Sequence, residues 1–233
     1  GNEDFITRKW LDNQFRVINY NLNYKGTKND IILGSTYSEY DGDHFGETIW
    51  AQNSGDTEFT DRFYNGRGLK KDFSNFFKSI FQVSKKINIY TDLQLRKISY
   101  ITSGSTSNVS DLTVNKKYSF FNPKAGLNFQ KDSKNRFYFS VATAFREPTR
   151  SDFENNIEIK PEELIDYEMG WNYRDDKFYF NSNLYYMNYK NQLVLTGALD
   201  DVGTPIRDNS GESFRKGIEL ESAYKLSKKI NVS

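Results

Sequence analysis

The chain has 233 residues, and its 32 basic and 31 acidic side chains leave a formal net charge of +1, which gives no strong field to attract nucleic acid. It contains no cysteine and one histidine, His44, which excludes disulfide frameworks, thiolate catalysis and centres built from several Cys or His ligands. Aliphatic residues are few, but 19 Phe, 16 Tyr and 3 Trp with abundant Asn make a composition that is neither disordered nor that of an ordinary globular core.

In chain order, the N-terminal stretch GNEDFITRKW has no basic-then-apolar signal segment. From Arg16 to Tyr24 the apolar or aromatic residues Ile18, Tyr20, Leu22 and Tyr24 alternate with Asn19, Asn21 and Asn23. Between Ile87 and Arg96, Ile87, Ile89, Thr91, Leu93 and Leu95 oppose Asn88, Asp92, Gln94 and Arg96. Phe137, Phe139, Val141, Thr143 and Phe145 form the next apolar file, and Ile165, Tyr167, Met169, Trp171 and Tyr173 another. Ile218 and Leu220 alternate with Arg215, Gly217, Glu219 and Glu221. A period of two residues predicts strands with one apolar and one polar face. The longest apolar run, Leu184 to Met187, is far short of the ~20 residues of a membrane-crossing helix.

The connections alternate as well. Short lysine-rich turns are expected at Gly26–Asp30, Ser84–Lys86, Lys131–Asn135, Asp175–Lys177 and Ser227–Lys229. Long Gly/Asn/Ser/Asp-rich loops are expected at Asp41–Lys71, Ser103–Lys116, Glu147–Glu162 and Ala198–Glu212. The expected architecture is an all-β, antiparallel up-and-down meander of nine strands with the start of a tenth at Ile230. Strands over 14–25, 86–102, 117–129 and 177–196 reach the ~9–11 residues needed to cross a bilayer. With tight turns at one end, long loops at the other and aromatics near strand ends, this predicts part of a transmembrane β-barrel. The alternative is a soluble β-rich ligand-binding or adhesion module whose apolar faces fold onto each other.

Residues 140–171 resemble the barrel of TonB-dependent outer-membrane receptors. The segments carrying the likeness are Ala144–Phe145–Arg146–Glu147–Pro148, then Lys160–Pro161–Glu162, then Tyr167–Glu168 and Gly170. It continues through residues 185–197 and 205–221, with Asn209 and Gly217–Ile218–Glu219 in familiar places. RKWLDN (8–13) and YDGDHFGETIWAQN (40–53) are similar to receptors of Bacteroidetes-type bacteria. The resemblance implies residence in the Gram-negative outer membrane and a parent that imports a bulky nutrient, a ferric siderophore, haem, cobalamin or a glycan, through a barrel of roughly 22 strands. It also implies a lumenal plug domain and contact with TonB. Residues 1–233 are expected to be a partial barrel domain lacking the plug, either a piece cut from a longer protein or a truncated gene product, with nine to ten strands. Catalysis and cofactors are not expected; the partners implied are a nutrient at the extracellular loops, outer-membrane lipid and, for the parent, TonB.

Candidate ligand-binding residues are Asp41, Asp43, His44, Glu47, Trp50 and Arg146. The run from Asp41 to His44 with Glu47 supplies oxygen and imidazole ligands that suit a divalent cation, and equally the Asp and Gly that turns require. Phe45 and Trp50 can stack on a ligand or sit at the membrane interface. Arg146 and Glu147 can face a ligand or form a lumenal ion pair. Thr196, Gly197, Asn209 and Ser210 read first as turn residues. Lumenal charges such as Arg96, Arg174, Glu219 and Glu221 are expected to meet the plug or to pair across strands.

Overall fold

A computed structural model describes residues 4–53, 58–199, 203, 205–227 and 230–232. The strands are β1 (Phe5–Lys25), β2 (Asn29–Ala51), β3 (Arg62–Gln82), β4 (Ile87–Gly104), β5 (Val114–Gln130) and β6 (Asn135–Arg146). After the short helix α1 (Arg150–Asn155) come β7 (Glu162–Arg174), β8 (Phe178–Lys190), β9 (Leu193–Leu199), β10 (Pro205–Asn209), β11 (Glu212–Lys225) and β12 (Asn231–Val232). Ten strands form one antiparallel sheet in the order β1-β2-β3-β4-β5-β6-β7-β8-β11-β12, and β9 pairs with β10 as a separate hairpin. The expected meander is present, ending in a tenth strand at Asn231.

The tight turns owe their shape to side chains that hold their own backbone. Ser84 accepts the amides of Lys86 and Ile87 at 3.2 and 3.1 Å. Asp132 accepts those of Lys134 and Asn135, both at 2.9 Å. Asp175 accepts those of Lys177 and Phe178 at 2.9 and 2.8 Å and the Tyr173 hydroxyl at 2.8 Å. These are Asx- and Ser-turns, which explains why Ser or Asp precedes lysine in each. The donors around Asp175, first the amides of Lys177 and Phe178, hold its carboxyl down at about 2. Lys228 and Lys229 of the last expected turn lie outside the described residues.

The long connections differ from expectation at two places. The loop expected over Asp41–Lys71 is far shorter, because β2 runs on to Ala51 and β3 begins at Arg62; its residues 54–57 lie outside the described set. At about 3.3 Å per residue, strands this long extend well past a ~30 Å hydrocarbon core. Beyond the membrane both faces are wet, so Asp, Gly and His are no bar to strand pairing. The Ala198–Glu212 stretch, apart from residues 200–202 and 204, which are not described, holds the closing part of the β9–β10 hairpin rather than an open loop. The strand expected over 177–196 is interrupted after Lys190, where Asn191 takes a φ of 53°.

One face of the sheet carries the apolar files. On it, toward the tight-turn end, Phe129, Phe137, Trp171 and Phe180 stand ring to ring at 6.4, 6.3 and 5.4 Å. The Trp171 indole donates to Asn135 at 3.0 Å, giving the wet-tipped aromatic belt of a membrane interface. Large apolar residues remain open on this face, Ile18, Ile218 and Leu220 among them at 66–70% exposure. The soluble alternative required this band to fold onto itself as a core. Instead the buried apolar cluster is small and sits at the loop end: Leu112, Val114, Phe153, Ile159 and Leu193.

The opposite face is polar, and there the motif glycines have a steric purpose. Gly170 stands opposite Tyr138 and Gly217 opposite Tyr185. A Cβ at Gly170 would come within 2.4 Å of the Tyr138 ring and of the Ser182 carbonyl, and at Gly217 within 2.5 Å of the Tyr185 hydroxyl. Each tyrosine lies flat across a glycine of the next strand, which lines the lumen with rings laid along its wall.

Candidate functional site

The lumenal face near the loop end carries a charged network. Arg96 from β4 binds the Asp72 carboxylate on β3 and donates to both oxygens of Glu147 at 2.8 Å. Lys70 on β3 reaches the same Glu147 at 2.6 Å. Further along the face, Gln94 donates to Ser74 and accepts from Asn122, at 2.9 and 2.8 Å. Burial works against the charged form of Glu147, but hydrogen bonds from Lys70 and Arg96 outweigh it and hold the carboxyl below its ordinary value. Glu147 therefore clamps the segment leaving β6 onto β3 and β4, which are distant in sequence.

From that clamp the chain passes Pro148 and enters α1. Thr149 opens the helix, and Asp152 accepts both its amide and its hydroxyl, at 2.7 and 2.8 Å. Phe153 enters the buried cluster and stacks on Tyr100 at 5.7 Å. The β9–β10 hairpin is tied to this segment through Asn209, which accepts the Lys160 amide at 2.8 Å and donates to the carbonyls of Lys160 and Asn191 at 3.0 and 2.8 Å. Arg207 approaches Asp152 at 3.9 Å. The expected loop Glu147–Glu162 is thus a folded inward cap, held by one ionic clamp and one apolar plug.

Beneath the cap lies a cavity of about 290 Å³ lined by Tyr40, His44, Lys70, Tyr100, Glu147 and Arg150, among others. The Tyr40 hydroxyl and His44 Nε2 are 2.9 Å apart. Arg150 bonds through Nε to Glu154 at 3.4 Å, while both its Nη atoms are buried without a hydrogen-bond partner. Glu147 is already engaged by Lys70 and Arg96, so the cavity keeps an excess of hydrogen-bond donors in the Arg150 Nη atoms. Such a chamber suits an anionic or oxygen-rich group.

The structure separates the residues that the sequence grouped. His44 lines the cavity. Asp41 and Asp43 alternate with it on β2 and lie on the outward face, where Arg67 donates to Asp41 at 2.8 and 2.7 Å. Glu47 is also outward, bound by Arg8 at 2.7 Å and approached by Arg62 at 3.9 Å, and the Arg62 guanidinium covers the Phe45 ring at 3.6 Å. Trp50 is half exposed opposite Ile6. Arg146 reaches toward Glu162 at 4.0 Å and the Leu193 carbonyl at 3.5 Å, outside the cavity lining. Among the described residues no cluster of three or more His, Asp or Glu side chains could hold a metal. Of the other residues singled out, Arg174, Glu219 and Glu221 share the lumenal face with Arg96; Tyr179 lies under Arg174 at 4.9 Å and donates to Glu221 at 3.2 Å. Thr196 and Gly197, read first as turn residues, lie within β9, where the Thr196 hydroxyl donates to the Ile206 carbonyl at 3.2 Å and Gly197 takes a φ of 86°.

Sequence reasoning missed Tyr40, Lys70, Tyr100 and Arg150. They come from three strands and the cap, and no local spacing links them. The one available signal was that Arg150 comes two residues after the end of the Phe145–Pro148 motif.

The model of the TonB dependent receptor-like β-barrel family matches residues 9–233. No curated protein sequence matches the chain. Among solved structures it is similar to the copper transporter OprC, with a TM-score of 0.75 at 13% identity over 95% of this chain and 36% of that one. The ferric citrate transporter FecA in its unliganded form gives 0.67 at 14% identity, over 97% of this chain and 34% of that one. The ferric-catecholate import receptor Fiu from K12 E. coli gives 0.63 at 17% identity, over 94% and 36%. The chain therefore spans about a third of the length of these structures, and the likeness is one of fold.

Proposed function

The chain belongs to the TonB-dependent receptor β-barrel family of the Gram-negative outer membrane, and on that premise we propose that it forms part of an uptake receptor for an anionic metal chelate, of the ferric siderophore kind. Haem, cobalamin and glycans are the other cargoes such a receptor could carry. The observation favouring an anionic chelate is Arg150: a buried guanidinium with two unpartnered Nη atoms, next to Lys70, in a cavity on the lumenal side of the loops. A buried donor of this kind calls for an acceptor from outside the described chain, and carboxylate or catecholate oxygens would supply one. A neutral glycan would offer these donors no charge-assisted bond.

In this reading the cargo enters at the long-loop end and the cap over residues 147–161 forms one wall of its chamber. A plug inside the lumen relays energy from TonB, and Arg174, Glu219 and Glu221 contact it, Arg96 being taken up by Asp72 and Glu147. This chain supplies a binding surface and a conduit; no step of bond chemistry is needed.

The test is uptake of radiolabelled iron as ferric citrate and as a ferric tricatecholate, in cells whose own receptors are deleted and which carry the complete receptor. Uptake should require TonB and fall about tenfold or more in Arg150→Gln with Lys70→Gln, two charge-assisted contacts being at stake. Growth on an oligosaccharide with no uptake of either chelate would overturn the proposal.

A further inference from the structure

The cavity beneath the cap is small for a whole metal chelate. Pockets that enclose an entire drug-sized ligand run to about 300–1,000 Å³, and at about 290 Å³ this one sits at the bottom of that range. A metal ion wrapped by several bidentate arms exceeds such a space; a single arm does not.

The lining narrows the kind of arm. Its strand wall is cleared by glycines: Gly42 stands opposite Gly68, and Gly66 opposite His44. A Cβ at Gly66 would come within 2.7 Å of Arg150 Nη2, and one at Gly42 would run into the hydroxyl end of Tyr40. The Arg150 guanidinium and the Tyr40 ring therefore lie close against bare backbone, and neither could do so over a side chain. Tyr100 also faces the space, its ring held nearly parallel to Phe153, with 14° between the planes. Pro148 from the cap adds a further flat group. Arg150 turns Nε toward Glu154 and keeps Nη1 and Nη2 buried and unpartnered, a two-pronged donor. Such a fork matches two oxygens side by side, as on a carboxylate. Beside it, rings favour another ring as neighbour.

We propose that the cavity is a subsite for one aryl-acid arm of the cargo, a planar ring bearing a carboxylate that is free of the metal. The carboxylate accepts hydrogen bonds from Arg150 Nη1 and Nη2, the ring lies against Tyr40 and Tyr100, and the metal stays outside. As a cargo site it rests on the uptake reading. Recognition of the arm needs no metal, so a metal-free aryl acid binds by itself.

The test uses the complete receptor in detergent and isothermal titration calorimetry with sodium benzoate and sodium cyclohexanecarboxylate, two metal-free acids of equal charge and nearly equal size. Benzoate should bind about fivefold or more tightly, the worth of a ring-on-ring contact. Arg150→Gln should weaken both acids about tenfold. Tyr40→Leu should remove the preference for benzoate, whereas Tyr40→Phe, which keeps the ring and gives up the hydroxyl contact with His44, should retain it. Equal binding of the two acids by the unaltered receptor, which depends on no variant folding, would overturn the proposal, and so would binding indifferent to Arg150→Gln. Either result with TonB-dependent iron uptake intact would strike the subsite alone. A preference for benzoate in a receptor that takes up neither chelate would strike the uptake reading and leave an aryl-acid site standing.

Discussion

Arg96 shows how a single lumenal side chain fixes the geometry of the loop end. Its guanidinium is shared between Asp72 on its neighbouring strand and Glu147 in the cap, and each side chain of the trio is less than a quarter exposed. Arg96→Gln removes the donor from both carboxylates at once and leaves Glu147 to Lys70. Hydrogen bonds to charged groups contribute about 1.5–3 kcal/mol each, and a carboxylate left half-buried costs more than an absent one. The variant should lose roughly 2–4 kcal/mol of stability, read as a lower urea midpoint of the detergent-folded receptor. Protease cleavage within 147–161 should rise with it, because the cap loses its clamp. Lys70→Gln should have the smaller effect, since it removes one donor and leaves Arg96 in place. The sign of the Glu147 shift makes a matching statement about acid. Its carboxyl lies below the ordinary value of 4.5 in the folded chain, so the clamp contributes in full above that pH and is lost as pH falls through the lowered value.

At the scale of the element, the strands were legible in the sequence because a period of two survives wherever one face meets lipid and the other a wet lumen. The run from Ile87 to Arg96 is the plainest case, and it falls within β4. Legibility failed where that contrast ends. Above the membrane the Asp41–Trp50 stretch has no dry face, so composition suggested a loop where β2 continues. The same loss of contrast hid the division of Asp41, Asp43 and Glu47 from His44, which strand alternation imposes once β2 runs on through them. Helix α1 was invisible for another reason: its six residues are held by Phe153 in a cluster from distant segments, not by local periodicity. The glycines of the family motifs were seen as markers, and their cause emerges from cross-strand contacts. Gly170→Ala should be costly although alanine is small, since its Cβ would meet the Ser182 backbone as well as the Tyr138 ring. We expect a loss of about 1–3 kcal/mol of stability, read as a lower urea midpoint, as for other overpacked sites. Gly197→Ala, within β9 but with open space around it, should show only the strain of its positive φ.

For the whole molecule, the governing fact is that its widest apolar surface is outside. Residues from Ile18 on β1 to Leu220 on β11 stay exposed on one continuous face, while burial is concentrated under the cap. In water such a band is an unsatisfied area far larger than a monomer tolerates, and β1, at one end of the sheet order, offers a second unsatisfied feature in its unpaired edge. Detergent repairs the first and not the second. Refolded alone, this 233-residue chain should therefore aggregate in plain buffer and gain β-structure and a limited size distribution only above the critical micelle concentration. Even then it should form edge-paired oligomers rather than a monomer. Circular dichroism with size-exclusion chromatography, with and without a mild detergent, separates the cases. A compact, β-rich monomer in buffer would mean that the band closes on itself, and the outward face described here would have to be a core. Detergent-dependent oligomers that become monomeric when strands flanking β1 are supplied in trans would place both needs, lipid on the face and a strand on the edge, in the same molecule.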